Sequence, residues 1–182
     1  MIRIPILCVV ALALVGAACG ARTGSDTQLE LDVQVFEELE VILLDAEAVA
    51  TVLDGTADAP EYNSNPPTSG TRADGFARCG IYRQPIPALF QVASLAQGSV
   101  IVQYRSIFTA DARDAVERAV RPFGDGVIVA PNPALDAPVV LTAWGAMLTM
   151  PFADIAQITE FVNQYRGRGP SPRDCPATVD DA

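Results

Sequence analysis

The 182-residue chain contains no histidine and no lysine; all 12 of its basic residues are arginine. Those two absences remove much familiar chemistry. Without imidazole there is no His-based metal site and no Ser–His or Cys–His nucleophile. Without a side-chain amine there is no Ser–Lys pair and no Schiff base. Paired carboxylates are what remain for an enzyme. No Asp-rich loop of the calcium-binding type is present either, so a hard-cation site built from Asp and Glu oxygens is the weakest reading. Cationic charge is scarce as well. The 22 acidic residues outweigh the arginines to a net charge of −10, which repels phosphate backbones and argues against a nucleic-acid partner. Nothing in the residue types calls for a cofactor or a metal.

The chain also lacks an apolar run of membrane-spanning length, about 20 residues. Ile4 to Ala18 is apolar but short, follows Arg3 and ends in small residues, so residues 1–18 read as an export signal. Val15-Gly16-Ala17-Ala18-Cys19 looks like a bacterial lipobox, in which Cys19 becomes the lipidated first residue. The rival reading is an ordinary cleaved signal with a free Cys19. Lipidation implies a chain anchored to a membrane of the cell envelope, on its extracytoplasmic side. Of the four cysteines, Cys8 then leaves with the signal and Cys19 carries lipid. Cys79 and Cys175 are left as a pair in an oxidising compartment, which predicts a disulfide. Two separate buried thiols are the alternative.

What is present beyond residue 18 reads as a tether over 19–28, one α+β domain over 29–176 and an acidic tail over 177–182. The expected core of that domain is a small mixed or antiparallel sheet packed by two or three helices. Leu29, Leu31, Val33 and Val35 alternate with polar residues, a strand pattern. A helix is expected within Leu39–Val52, where helix formers dominate. Then comes a long loop, Tyr62 to Tyr82, with Pro66, Pro67, three glycines, Cys79, Arg72 and Arg78. A short helix over Leu89–Leu95 and a β-branched strand over Ser99–Arg105 follow. The next helix is Ala112–Arg121, capped by Thr109 or Asp111, with Asp114–Arg118 and Glu117–Arg121 as i,i+4 pairs. Strands are expected at Val127–Ala130 and Val139–Trp144, with Met147–Met150 extending or pairing with the latter. A last helix spans Phe152–Tyr165, its face made of Phe152, Ile155, Thr159, Val162 and Tyr165.

Several runs resemble an uncharacterised exported family, domain of unknown function family 3105. They are Tyr62-Asn63-Ser64-Asn65-Pro66-Pro67-Thr68-Ser69-Gly70, Cys79-Gly80-Ile81-Tyr82, Ser94-Leu95 with Gly98, Val127 to Pro133, Leu141 to Gly145, and Tyr165-Arg166-Gly167. The resemblance covers about Val33 to Cys175. Members typically carry a histidine shortly after the Pro-Pro-Thr-Ser-Gly run, where this chain has Arg72. They typically read His-Ser-Leu-Glu-His-Gly where this chain reads Ala93-Ser94-Leu95-Ala96-Gln97-Gly98. The resemblance thus implies a scaffold retained and a polar cluster lost. It implies that Arg72, Ala93, Ala96 and Gln97 still face one another, with Arg72 and Gln97 bridged by water or by the Gln97 carbonyl oxygen. Pro66, Pro67, Thr68, Ser69, Gly70, Arg72 and Gln97 form the candidate contact cleft. A cation is repelled there, and an anion or a partner's carboxylate is the better guest.

The expectation is a non-catalytic lipoprotein that binds an envelope protein or an anionic ligand. The rival is a carboxylate enzyme using Glu61 and Asp74, which lie near the motif.

Overall fold

A computed structural model describes residues 41–43, 52–53, 60–105 and 109–175. They build a six-stranded mixed sheet and three α-helices, an α+β domain. The strands are β1 (Val41–Leu43), β2 (Val52–Leu53), β3 (Arg72–Ala73), β4 (Gly80–Ile81), β5 (Val100–Tyr104), β6 (Val127–Pro131), β7 (Val139–Ala143) and β8 (Ala146–Met150). The helices are α1 (Ala88–Ala96), α2 (Ala110–Val120) and α3 (Ile155–Tyr165). The main sheet runs β1-β8-β7-β5-β6-β4, and β2 and β3 form a separate parallel pair.

The inner strands form because they are Val- and Ile-rich and buried on both faces. Alternation then divides the core in two. Val100 and Val102 of β5 and Val127 and Val129 of β6 pack with Val116, Ala119 and Val120 of α2 and with Ile158, Phe161 and Val162 of α3. Ile101, Ile128 and Ala130 point the other way, toward Leu95 of α1 and toward Cys79 and Cys175. So α2 and α3 cover one face and α1 the other. The strands β4, β5 and β6 are parallel, and β7, β8 and β1 are added antiparallel.

Several expectations need correction. Val41–Leu43 and Val52–Leu53 are strands, and the helix expected within Leu39–Val52 does not include them. Edge pairing of Val41 with Leu148 and Leu43 with Ala146 overrides the local helix preference. The strand expected over Leu29–Phe36 lies outside the described residues. Helix α3 begins three residues later than expected, because Asp154 caps it, its Oδ1 accepting from the Ala156 and Gln157 N–H groups at 2.8 and 3.1 Å. That moves the buried stripe to Ile158, Phe161 and Val162 and leaves Phe152 64% exposed. In α2, Thr109 is the cap, but the ion pair is Arg113 with Glu117, at 3.7 Å, in place of the two pairs expected.

Candidate functional site

Helix α1 has no polar side; Leu89 and the run Gln91 to Ala96 are buried. A helix enclosed like this needs cover on every side, and the loop Tyr62–Tyr82 supplies part of it. The Ser94 hydroxyl accepts from the Ala77 N–H at 3.0 Å and lies 2.9 Å from the Phe90 carbonyl. That fixes the loop's second half against α1. Parallel pairing of Val52 with Arg72 and Leu53 with Ala73 holds the strand that carries Arg72.

The far end of α1 is closed by the C-terminal segment. A helix C-terminus leaves carbonyls without partners. Here the Ser171 N–H donates to the Ala96 carbonyl at 2.9 Å, and the Arg173 N–H to the Gln97 carbonyl at 3.1 Å. The Gly167 N–H donates to the Gly98 carbonyl at 2.7 Å. The approach is so close that a Cβ on Gly169 would lie 2.2 Å from the Ala96 oxygen, so only glycine fits. The disulfide Cys79–Cys175, with Cα atoms 5.5 Å apart, then ties this segment to the loop. Both cysteines are buried.

Between these walls is a cleft of about 190 Å³ lined by Arg72, Asp74, Phe76, Ala93, Ala96, Gln97, Ser171 and Arg173, among others. Arg72, Ala93, Ala96 and Gln97 therefore share one cavity. No direct bridge runs from Arg72 to the Gln97 oxygen; Gln97 Oε1 is buried and has no hydrogen-bond partner among the described residues. Two guanidiniums face one lining carboxylate, Asp74, and the end of α1, which carries about −0.5 charge. The lining is thus positive by about half a charge. Arg173 is the residue that sequence reasoning missed. Its only signal was Cys175, two residues on.

The Pro66–Gly70 run does not line this cleft. All five residues are buried and turned to internal use. Asn63 Nδ2 donates to the Thr68 and Ser69 hydroxyls at 2.9 and 3.1 Å, the Ser64 hydroxyl donates to the Pro66 carbonyl at 2.7 Å, and the Thr68 carbonyl accepts from the Gly145 N–H at 3.1 Å. That run is a brace between the loop and the β7–β8 turn. Glu61 is exposed and stands outside the cleft lining, so the structure does not gather Glu61 and Asp74 into one site. Cys19 lies outside the described residues. Among the described residues no cluster of Cys, Asp and Glu could hold a metal ion, and no helix is long and apolar enough to cross a membrane.

A second feature of α1's face of the sheet is a chain of buried amides. Gln91 Nε2 donates to the Ile86 carbonyl at 2.6 Å, Gln103 Nε2 to Gln91 Oε1 at 3.0 Å, and Asn132 Nδ2 to Gln103 Oε1 at 2.7 Å. Asn132 Oδ1 accepts from the Ala134 N–H at 3.0 Å. Every oxygen in the chain has a donor, which is what lets amides sit in a core. Burial also pushes the Tyr62, Tyr82 and Tyr104 hydroxyls above the ordinary tyrosine value.

The model of a family described as protein of unknown function (DUF3105) matches residues 56–177, and the chain belongs to that family. No curated protein and no solved structure matches it.

Proposed function

We propose that this family member is a non-catalytic exported lipoprotein, held to an envelope membrane through Cys19, whose Arg72–Gln97–Arg173 cleft binds a carboxylate on a partner. The cleft carries the reading: Arg72, Gln97 and Arg173 line it together where the resemblance implies histidines and a glutamate, and the buried Gln97 oxygen has no partner among the described residues. Guanidinium pairs with carboxylate in a planar, forked geometry. The Gln97 oxygen lacks a donor, so the best guest presents an N–H or O–H beside its carboxylate. An acidic peptide segment of an envelope protein has both. The absence of His and Lys from the chain, with Asp74 as the lone carboxylate lining the cleft, supports binding over catalysis.

Two measurements test this. N-acetyl-aspartate is titrated into isotope-labelled protein while the arginine side-chain resonances are followed. Arg72 and Arg173 should shift together, and Arg72→Gln or Arg173→Gln alone should weaken the response at the arginine that remains at least tenfold. No shift at either arginine would sink the cleft reading. Detergent phase partitioning of the wild type and Cys19→Ala tests the anchor, which fails if both proteins stay in the aqueous phase.

A further inference from the structure

A different crevice lies at the opposite end of the parallel strands. The registers Gly80↔Ile128 and Tyr104↔Pro131 put the carboxyl ends of β4, β5 and β6 at one edge. The chain leaves β4 toward α1, on one face of the sheet, and leaves β5 toward α2, on the other. Connections that part to opposite faces open a crevice beyond the strand ends, where ligands of open α/β sheets bind. Here the crevice is about 420 Å³ and is lined by Arg83, Gln84, Pro85, Tyr104, Arg113, Pro131 and Pro133. That volume lies within the range of small-molecule sites, about 300–1,000 Å³.

Its chemistry is specific in two ways. Two guanidiniums line it and no carboxylate does. The acid paired with Arg113, Glu117, stands 3.7 Å from its Nε, too long for a hydrogen bond, and that buried Nε has no other partner among the described residues. Arg113 also stands in the first turns of α2, whose amino end carries about +0.5 charge. Beside the Gln84 amide, the remaining walls are rings: three prolines and the largely buried Tyr104. They offer flat apolar surface beside the charges.

The walls are also held in place. The amide chain described above begins at the Ile86 carbonyl, beside Pro85, and ends at Asn132, between Pro131 and Pro133. The Asn132 N–H further donates to the Tyr104 carbonyl at 2.8 Å. Both sides of the crevice are thus fixed through Gln91 and Gln103 in the core, as a binding site requires. Burial raises the Tyr104 hydroxyl's proton affinity most; Arg113 and Arg83 pull it down and Glu117 pushes it up, so these groups share one locality.

We infer that this crevice is a second binding site, for a small carboxylate carried on a flat ring. The two arginines take the carboxylate, and the proline and tyrosine rings take the ring. Benzoate is the probe, with acetate as the control that has the charge and lacks the ring. Titration followed through the Arg83 and Arg113 side-chain resonances should show benzoate binding at least tenfold tighter than acetate. Arg113→Gln and Arg83→Gln should each weaken benzoate binding at least fivefold. Arg83 is exposed and the Arg113 side chain is 39% exposed in spite of its buried Nε, so the variants should keep the wild-type urea midpoint. Arg72→Gln/Arg173→Gln should leave the benzoate response unchanged, which separates this site from the cleft at α1. Equal affinity for acetate and benzoate overturns the ring component. Benzoate binding that survives both arginine substitutions, or no binding at all, overturns the site.

Discussion

Breaking the Cys79–Cys175 bridge should do two things at once. The bridge joins residues 96 apart in sequence, so it removes a long loop's worth of freedom from the unfolded chain. In the chain-entropy model that contributes about 4.7 kcal/mol for a loop of roughly 100 residues. The native contacts it protects are few. Beyond the cysteines themselves, the segment Gly167–Cys175 is held by backbone bonds to Gly98, Ala96, Gln97 and Gly126. At about 1 kcal/mol net for each bond, these do not replace the bridge. Reduced wild-type protein is the cleanest perturbation, because it keeps both sulfurs in the core. With a urea slope of about 2 kcal/mol/M, the unfolding midpoint should fall by about 2 M. Cys79→Ala/Cys175→Ala should fall further, by the cavities left at two buried positions.

The second effect is on function. Arg173 lies two residues from Cys175 and reaches the cleft on the segment that the bridge ties down. Reduction should therefore weaken the N-acetyl-aspartate response at Arg72 as well as at Arg173, while the benzoate response at Arg113 persists. A midpoint change below about 0.5 M would refute the stability argument, since it would mean the unfolded chain is not constrained by the bridge. Unchanged binding at the cleft in reduced, folded protein would refute the claim that the bridge positions Arg173.

Gln103→Leu should lower stability by about 1–3 kcal/mol, because it strands the buried Gln91 Oε1, while the half-buried Asn132 Nδ2 can turn to water. It should also weaken benzoate binding by loosening the Pro131–Pro133 wall; a urea midpoint equal to wild type counts against the amide chain. The pH dependence follows from burial of Tyr62, Tyr82 and Tyr104, which raises all three above 10.0. Their neutral forms are favoured in the folded state, so their contribution is fully present below the ordinary tyrosine value and is lost as pH rises through the raised ones. The urea midpoint should hold from pH 7 to 9 and fall above about pH 10; a fall already between pH 7 and 9 would contradict it.

Much of the fold was legible because its signals are local. Val100–Tyr104, Val127–Pro131 and Val139–Ala143 are β-branched and lie between turn residues, so their strands show in composition alone. Val41–Leu43 was not legible, because it follows Glu37-Glu38-Leu39-Glu40, whose residues favour helix, and only the partner strand β8 decides otherwise. The start of α3 hung on one residue: Asp154 caps it in place of Pro151, so Phe152 stands outside the helix and cannot join its stripe.

The sites divide in the same way, and the division says something about where to look in such chains. Cys79 and Cys175 could be paired by counting once the export reading set Cys8 and Cys19 aside, with two separate thiols as the alternative that the observed bridge removes. Arg72 and Gln97 were reachable only through a family pattern. Arg173 and the crevice between Arg83 and Arg113 were not reachable at all, for a topological reason. Residues Arg83, Tyr104, Arg113 and Pro131 are spread across four elements, and no spacing along the chain encodes their meeting. What brings them together is the order β5-β6-β4 with α1 and α2 on opposite faces, a property of strand pairing. The Pro-Pro-Thr-Ser-Gly run shows the converse. It is the most conspicuous motif in the sequence, yet Pro66 to Gly70 are buried and spent on bracing the β7–β8 turn. A conspicuous run marks a demanding backbone. The two proposed sites lie where the topology leaves arginines lining a gap.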